Sequence, residues 1–506
     1  MRKTMRTIFL TVSTLLLFAC QENETAKNNI TSKKDTLVYA QSADPKTLDP
    51  QDSTEQYSQT ITTNLYDRLV EINELTGEVV PGLGDSWKML DENTILIHLN
   101  PKATFSNGEP LTSEDVQFSL ERAKTLPKVA HLYKLIEKIE PVDKSTVKIT
   151  TSEPFAPLLN HLSHKSAAIL NKKAYLENPE KYFENPIGTG PYKLKEWKIG
   201  DRIVLEAVPT YFKGEPKIKN IVVRGIPEEN SRVIGLETGE LDVFSGVESI
   251  ARKTIESSDK LQLLEKPSTS TAYIGMNNQK GVLKDPEVRK AIAMGIDKDA
   301  IIEALLMGSA QRADQFLAPP VFGHSDNLPI IEYDPEGAKK IIEEKGLTGT
   351  NIVIATSNST LRQQMCEIVQ AQLKEIGINL SIESLEWGAF LNSTGNGLTD
   401  MFIMGWGPST YDGDYGFYPN FHSSQIGGAG NRTYYNSPQM DQLLDAAKKE
   451  MNQEKRKKLY EEVGTLLTVD VPVIPLYYSN TSIGSHKNIE NLEATSYPLF
   501  YKYEFK

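Results

Sequence analysis

Cysteine is nearly absent from this chain, since only Cys20 and Cys366 occur among its 506 residues. Cys366 lies among apolar residues at helical spacing, where a small buried thiol fits, so we expect neither a reactive thiol nor a disulfide. Without covalent cross-links, the fold must be stabilised by a large hydrophobic core.

Catalytic and metal-binding motifs are also missing. His161 and His164, the only close pair among seven histidines, lack the HExxH pattern of zinc hydrolases. The Gly188-Thr189-Gly190 segment lacks the ending of a P-loop and the three glycines of a dinucleotide fingerprint, so it predicts a tight turn. We therefore expect no enzyme, no metal site and no cofactor, although the sequence leaves open a glycosidase-like pair of carboxylates.

The charge balance argues against nucleic acid as a partner. The chain has 55 Lys and Arg against 67 Asp and Glu, a formal net charge of −12, whereas a nucleic-acid-binding protein needs a basic surface. Its 39% hydrophobic and 24% charged residues are typical of a globular protein. A length of 506 residues predicts two or three domains.

The N-terminus predicts export. A basic start is followed by an apolar run over residues 8–18, too short to span a bilayer, and by the small residue Ala19. Residues 17–20, Leu-Phe-Ala-Cys, resemble the lipobox of bacterial lipoproteins, whose cysteine is acylated and becomes the new N-terminus. We predict a signal peptide over 1–19, a lipidated polar tether over 20–35 and anchoring through Cys20 to the periplasmic or outer face of a membrane. The alternative is an ordinary signal peptide that is cleaved elsewhere.

Strand and helix patterns alternate along the body of the chain. Residues 361–376 predict a helix that ends at Gly377, and four helix N-termini are predicted at Thr112, Asp285, Asp334 and Ser437. Strands are predicted at 37–40, 94–99, 146–150, 203–208, 351–355, 378–382 and 400–405. This interleaving predicts a mixture of the α/β or α+β type.

A series of short motifs gives the chain a recognisable pattern. The motifs are 47–50 (TLDP), 64–70 (NLYDRLV), 81–87 (PGLGDSW), 105–108 (FSNG), 110–116 (PLTSEDV), 188–192 (GTGPY), 288–292 (VRKAI) and 435–438 (YNSP). No single motif is diagnostic, but their order over nearly the whole chain resembles the family 5 solute-binding proteins of ABC importers, which bind oligopeptides, dipeptides or nickel.

This resemblance implies an architecture. The expected fold is α/β and two-lobed, of the periplasmic-binding-protein type II, cluster C, with an extra inserted domain. By position, lobe I comprises residues 36–52, 187–269 and 477–506, the inserted domain 53–186, and lobe II 270–476. A monomer would enclose its ligand between the lobes by hinge closure and deliver it to the permease subunits of an ABC importer.

The resemblance also implies ligand-binding residues. Trp387 and Trp406 match by position the pocket tryptophans of the family's peptide binders. Trp406 follows a strand, and the end of a strand is a common ligand location in α/β proteins. Either tryptophan could instead belong to the core. The predicted site further includes Thr54, Glu55, Gly405, Tyr477 and Tyr478.

The segment after Trp406 departs from the family's pattern. Peptide binders carry there an aspartate that pairs with the α-amino group of the peptide, and Ser409 stands in its place, followed by Asp412 and Asp414. A buried ammonium needs a charged partner. Either one of these aspartates, Asp412 first, replaces the missing one, or the ligand is not a peptide with a free amine. The first hypothesis for the ligand is an oligopeptide or dipeptide, and the alternative is a nickel chelate, haem or sugar. An exported hydrolase is the less favoured function.

Overall fold

The computed structural model describes residues 34–53, 55–428 and 430–506, with the backbone alone at 249 and 250. Two predicted functional residues, Cys20 and Thr54, lie outside the described residues. The described chain combines helices and strands throughout, as the sequence patterns predict.

Each of the seven predicted strands is present, with ends that differ from the prediction by three residues at most. The strands of the structure are β1 (Thr36–Gln41), β2 (Val70–Ile72), β3 (Val79–Pro81), β4 (Gly84–Met89), β5 (Thr94–Leu99), β6 (Ile136–Asp143), β7 (Thr146–Thr151), β8 (Tyr192–Lys198), β9 (Arg202–Ala207), β10 (Asn220–Gly225), β11 (Val243–Ser245), β12 (Leu261–Met276), β13 (Gln311–Arg312), β14 (Thr350–Ser357), β15 (Ile378–Leu385), β16 (Met401–Trp406), β17 (Val473–His486), β18 (Ile489–Glu490) and β19 (Glu504–Phe505).

The predicted helix starts are confirmed. Asp285, Asp334 and Ser437 cap their helices with side-chain oxygens, and Thr112 forms a capping box with Asp115. The helices are α1 (Gln56–Leu65), α2 (Ser113–Thr125), α3 (Ala130–Tyr133), α4 (Leu158–Leu162), α5 (Lys172–Glu177), α6 (Glu229–Thr238), α7 (Ser249–Glu256), α8 (Pro286–Met294), α9 (Lys298–Leu306), α10 (Pro335–Glu344), α11 (Thr360–Glu375), α12 (Trp387–Gly395), α13 (Gly413–Phe421), α14 (Pro438–Lys449) and α15 (Gln453–Asp470).

One large sheet runs through the molecule. Its two halves are connected only by the two long strands β12 and β17. Its order is β15-β14-β16-β12-β17-β11-β1-β10-β9-β8, with β13 added beside β17. Strands β14 to β16 lie on one side, and β1 and β8 to β11 lie on the other. The antiparallel pair β12 and β17 therefore joins the two lobes.

A bulge interrupts this pair at its centre. Pro267 pairs with Asn480 and Thr271 with Tyr478, so residues 268–270 of β12 lie opposite Ser479 alone. Extra residues in one strand disrupt the ladder locally and increase its twist. The bulge marks a place where the sheet can bend and where side chains leave the ladder.

A separate four-stranded antiparallel sheet, β4-β5-β7-β6, lies between residues 84 and 151. It has its own hydrophobic core, whose members lie between Leu69 and Ile169 and include Val116 and Leu120 of α2. Other buried clusters belong to each side of the large sheet. The domain boundaries given above stay a prediction.

The Gly188-Thr189-Gly190 segment leads into a bend over residues 189–191. It packs against the end of α1, where the Gly190 amide donates to the Leu65 carbonyl (3.0 Å). The Asp67 amide donates to the Thr189 hydroxyl (3.0 Å). A Cβ at Gly188 would lie 2.0 Å from the Leu65 carbonyl oxygen, so glycine is needed there for close approach.

Candidate ligand-binding cleft

A cavity of about 370 Å³ lies at the bulge of the hinge strands. Residues 268–270 of β12 and 480–482 of β17 form one wall, and segments from both lobes and from the region between α1 and β8 form the others. Its volume falls in the usual range for small-molecule sites, about 300–1,000 Å³. A solute in this cavity would therefore contact both lobes and the region between α1 and β8.

The wall beyond β16 contains Ser409, which the sequence resemblance aligns with an aspartate of peptide binders. Ser409 and Tyr411 both line the cavity. Tyr411 has a left-handed backbone (φ 57°), and its carbonyl accepts a hydrogen bond from the Phe322 amide (3.0 Å). A tyrosine in this conformation carries strain that the surrounding structure must hold, and such strain is typical of functional loops.

Asp412 is buried and engaged with a cation. Its two carboxylate oxygens accept hydrogen bonds from the Arg456 guanidinium at 2.5 and 2.7 Å, and Oδ1 also caps α13 by accepting from the Asp414 amide (2.8 Å). Burial lowers the pKa of Arg456, but the Asp412 carboxylate and other nearby groups raise it, and the pKa is raised overall. Asp412 does not line the cavity with Ser409, so the structure gives its charge a partner other than a ligand ammonium.

Asp414 is also buried and also has a partner. Its carboxylate lies 3.3 Å from His161 Nε2, a residue of α4. Burial raises the pKa of Asp414, but the nearby His161, Lys448 and Arg456 together outweigh burial, so that the pKa is lowered overall. Asp414 therefore joins α13 to α4 instead of lining the cavity.

Further contacts join these two parts of the chain beside the cavity. Asn160 Nδ2 donates to the Thr410 carbonyl (2.9 Å), the Ala156 amide donates to the Lys448 carbonyl (2.9 Å), and Lys449 lies 2.7 Å from Glu153. Each of these pairs crosses from residues 153–161 to residues 410–449. These contacts hold the two parts of the chain together beside the cavity.

The other predicted residues that the structure describes are not among those that line the cavity. Trp406 donates from Nε1 to the Tyr415 carbonyl (3.0 Å), and Trp387 is 44% exposed and stacks on Phe390. The Tyr478 hydroxyl donates to the Gln315 carbonyl (3.0 Å). Gly405 and Tyr477 lie in strands of the sheet, and Glu55 caps α1.

Two charged residues that the sequence did not indicate do line the cavity. Glu74 lies 3.2 Å from the Lys266 ammonium and accepts a hydrogen bond from the Ser496 amide (3.2 Å). Lys165 follows α4, with its ammonium 4.7 Å from the centre of the Tyr497 ring. Neither belongs to a motif, and only the fold brings them to the hinge.

The described residues contain neither a metal cluster nor a membrane-spanning helix. No cluster of three His, Cys, Asp or Glu side chains with metal-binding geometry occurs within 34–53, 55–428 and 430–506. None of the helices in the described part combines the length and the apolar character needed to cross a bilayer.

Comparison with known proteins identifies the chain. Residues 78–428 match the bacterial extracellular solute-binding proteins, family 5, middle region. The chain belongs to this family. The predictions of a two-lobed α/β fold and of a binding protein rather than an enzyme are thereby confirmed. As a family 5 protein, it is the solute-binding component of an ABC importer and acts outside the cytoplasm.

Relatives of this family 5 protein bind different solutes. The dipeptide-binding protein of Escherichia coli is 29% identical, covering 88% of this chain and 89% of its own. Heme-binding protein A of Haemophilus influenzae is 28% identical, covering 94% of each chain. The structure of the periplasmic binding protein DppA from Helicobacter pylori in complex with the peptide STSA is 28% identical, with a TM-score of 0.81 over 93% of this chain and 98% of its own.

Proposed function

We propose that this family 5 protein captures an oligopeptide or dipeptide in the cavity between its lobes and delivers it to the permease subunits of its importer. The observation that carries the proposal is the cavity at the hinge bulge, whose walls come from both lobes and from the region between α1 and β8. Hydroxyl groups and one residue of each charge line it, as a short peptide would require. Peptide-binding relatives support the same class.

A solute without an α-ammonium is the second candidate. The observations that favour it are Ser409 in the cavity wall and the engagement of Asp412 with Arg456. Glu74 is the carboxylate that lines the described cavity, and it already accepts from Lys266. The haem-binding relative indicates that this family also accommodates solutes that are not peptides.

Calorimetry and small-angle X-ray scattering together test the proposal. We expect ligand-stripped protein to bind a short peptide with 1:1 stoichiometry and to contract on binding, because the hinge strands close the lobes over the ligand. Ligand should also stabilise the fold, by about 2.7 kcal/mol at a hundredfold excess over Kd. A scattering curve unaltered at saturation would contradict hinge closure, and binding of the N-acetylated peptide alone would favour the second candidate.

The lipid anchor is a proposal of its own, since Cys20 lies outside the described residues. We expect Cys20→Ser to release the protein from membranes while its ligand affinity stays the same, because two acyl chains suffice for stable anchoring. Cell fractionation after a salt wash, with Cys366→Ser as the control, measures this. Sedimentation of the Cys20→Ser variant with membranes would contradict the anchor.

A further inference from the structure

A second cavity of about 330 Å³ adjoins the ligand cleft. The two cavities share Ile72, Glu74, Lys165 and Tyr497 in their walls. A ligand in the cleft can therefore extend a terminal group into the second cavity past Lys165 and Tyr497. What this end of the site recognises depends on the charges around it.

Most charges of the second cavity are already paired. Lys213 lies 2.8 Å from Glu71, and Lys502 lies 3.0 Å from Glu493. These pairs leave two cations to be accounted for, Arg68 and Lys165.

Lys165 lacks a partner in the part of the chain that the structure describes. Its ammonium has neither an ion pair nor a hydrogen bond there; it lies over the face of the Tyr497 ring, with the Glu74 and Glu71 carboxylates in the surroundings. Burial, and secondly the Arg68 charge, lower the pKa of Lys165 to about 7. A desolvated ammonium held in this way is costly unless a ligand brings it an anion.

Arg68 lies beside Lys165 and is nearly as isolated. Its side chain is 5% exposed and lies 3.8 Å from Glu71, a carboxylate that is already bound to Lys213. Arg68 Nε is buried and has no hydrogen-bond partner among the described residues. A guanidinium with unused donors at a cavity wall matches the geometry of a carboxylate.

We propose that Lys165 and Arg68 form a subsite that binds a carboxylate of the ligand, so that the ligand lies with its anionic end in the second cavity and its other end near Ser409. This inference rests on the proposed function, because it assigns one end of the same site. It also explains how the protein can bind a peptide firmly without the family's aspartate, since the anionic end supplies the charged anchor.

Binding should then depend on pH. Lys165 must be charged to bind a carboxylate, and bound carboxylate raises the pKa of Lys165, so affinity stays level below pH 7 and falls by up to about tenfold per pH unit above it. The groups facing Lys165 are Arg68, Glu71, Glu74, His164 and Tyr497. Burial lowers the pKa of His164 to about 3 and raises that of Tyr497, so these two stay neutral between pH 6 and pH 9.

The test compares Lys165→Gln with wild-type protein, using trialanine and trialanine amide as probes in calorimetry. We expect wild-type protein to bind the free acid at least about 30-fold more tightly than the amide. Lys165→Gln should bind both weakly and equally, and its affinity should lose the fall above pH 7. Lys173→Gln, which removes a surface lysine from its ion pair with Glu109, is the matched control and should behave as wild type.

Stability provides a second readout on ligand-free protein. Because Lys165 is an unpaired buried cation, Lys165→Gln should raise the unfolding midpoint of the empty protein while it weakens binding. A lower midpoint would assign Lys165 a structural role and overturn the inference.

Failure of the inference is distinguishable from failure of the proposed function. Equal affinity of wild-type protein for acid and amide, or an unchanged preference in Lys165→Gln, overturns the subsite and leaves peptide binding intact. If wild-type protein binds neither probe, peptide binding fails, and native mass spectrometry of the copurified solute decides. An anionic solute lost from Lys165→Gln supports the subsite, whereas an uncharged one, or one retained by the variant, overturns it.

Discussion

Asp412→Asn is expected to destabilise the protein by about 3–5 kcal/mol, because it leaves the Arg456 guanidinium buried and without its counter-charge. Asparagine is as good a helix cap as aspartate, so the cap of α13 is kept and the substitution isolates the charge. Denaturation by urea, monitored by circular dichroism, measures the loss.

Two further variants make this result interpretable. Asp91→Asn, at an exposed aspartate, is the control and should change the free energy of unfolding by less than about 0.5 kcal/mol. The double variant Asp412→Asn with Arg456→Gln should recover part of the loss, because no buried charge remains. Unchanged stability of Asp412→Asn, together with weaker binding of free-amine peptides, would instead assign Asp412 to amine capture.

The second large effect is expected for Gly188→Ala. Its new methyl group would lie 2.0 Å from the carbonyl oxygen of Leu65 and 2.9 Å from the carbonyl carbon, both backbone atoms that cannot rotate away. We expect a destabilisation of about 3 kcal/mol, at the upper end for overpacking.

Gly405→Ala is the matched control for this substitution. There the added methyl would lie 3.6 Å from the nearest neighbour, the Thr271 carbonyl oxygen, which is an ordinary contact. Its effect should be below about 1 kcal/mol. Equal unfolding midpoints for Gly188→Ala and the wild type would contradict the close approach of this segment to the end of α1.

Local signals in the sequence were sufficient for most elements of the fold. Strand β5 begins and ends where the alternating pattern of residues 94–99 predicts, and the Asp-Pro pairs mark the starts of α8 and α10. The hinge has no comparable signal in the sequence. Residues 268–270 (Ser-Thr-Ser) have no apolar alternation, since the bulge turns them into the cavity and away from the core.

The site could be predicted only in part. Ser409 is predictable because the family resemblance aligns it with an aspartate of peptide binders, and it lines the cavity. The partner of Asp412 is Arg456, 44 residues further along the chain, and no local pattern connects the two. Lys165 and Arg68 were missed for the same physical reason: their isolation as charges is a property of the assembled cavities and not of either segment.

Native mass spectrometry of protein purified without denaturation tests the central claim, that the hinge cavity holds a solute for transport. We predict one small molecule per chain, released chemically unchanged on denaturation and regained when it is added back to the stripped protein. Protein that carries no solute, binds none from a peptide mixture and instead releases converted products over repeated turnovers would contradict it.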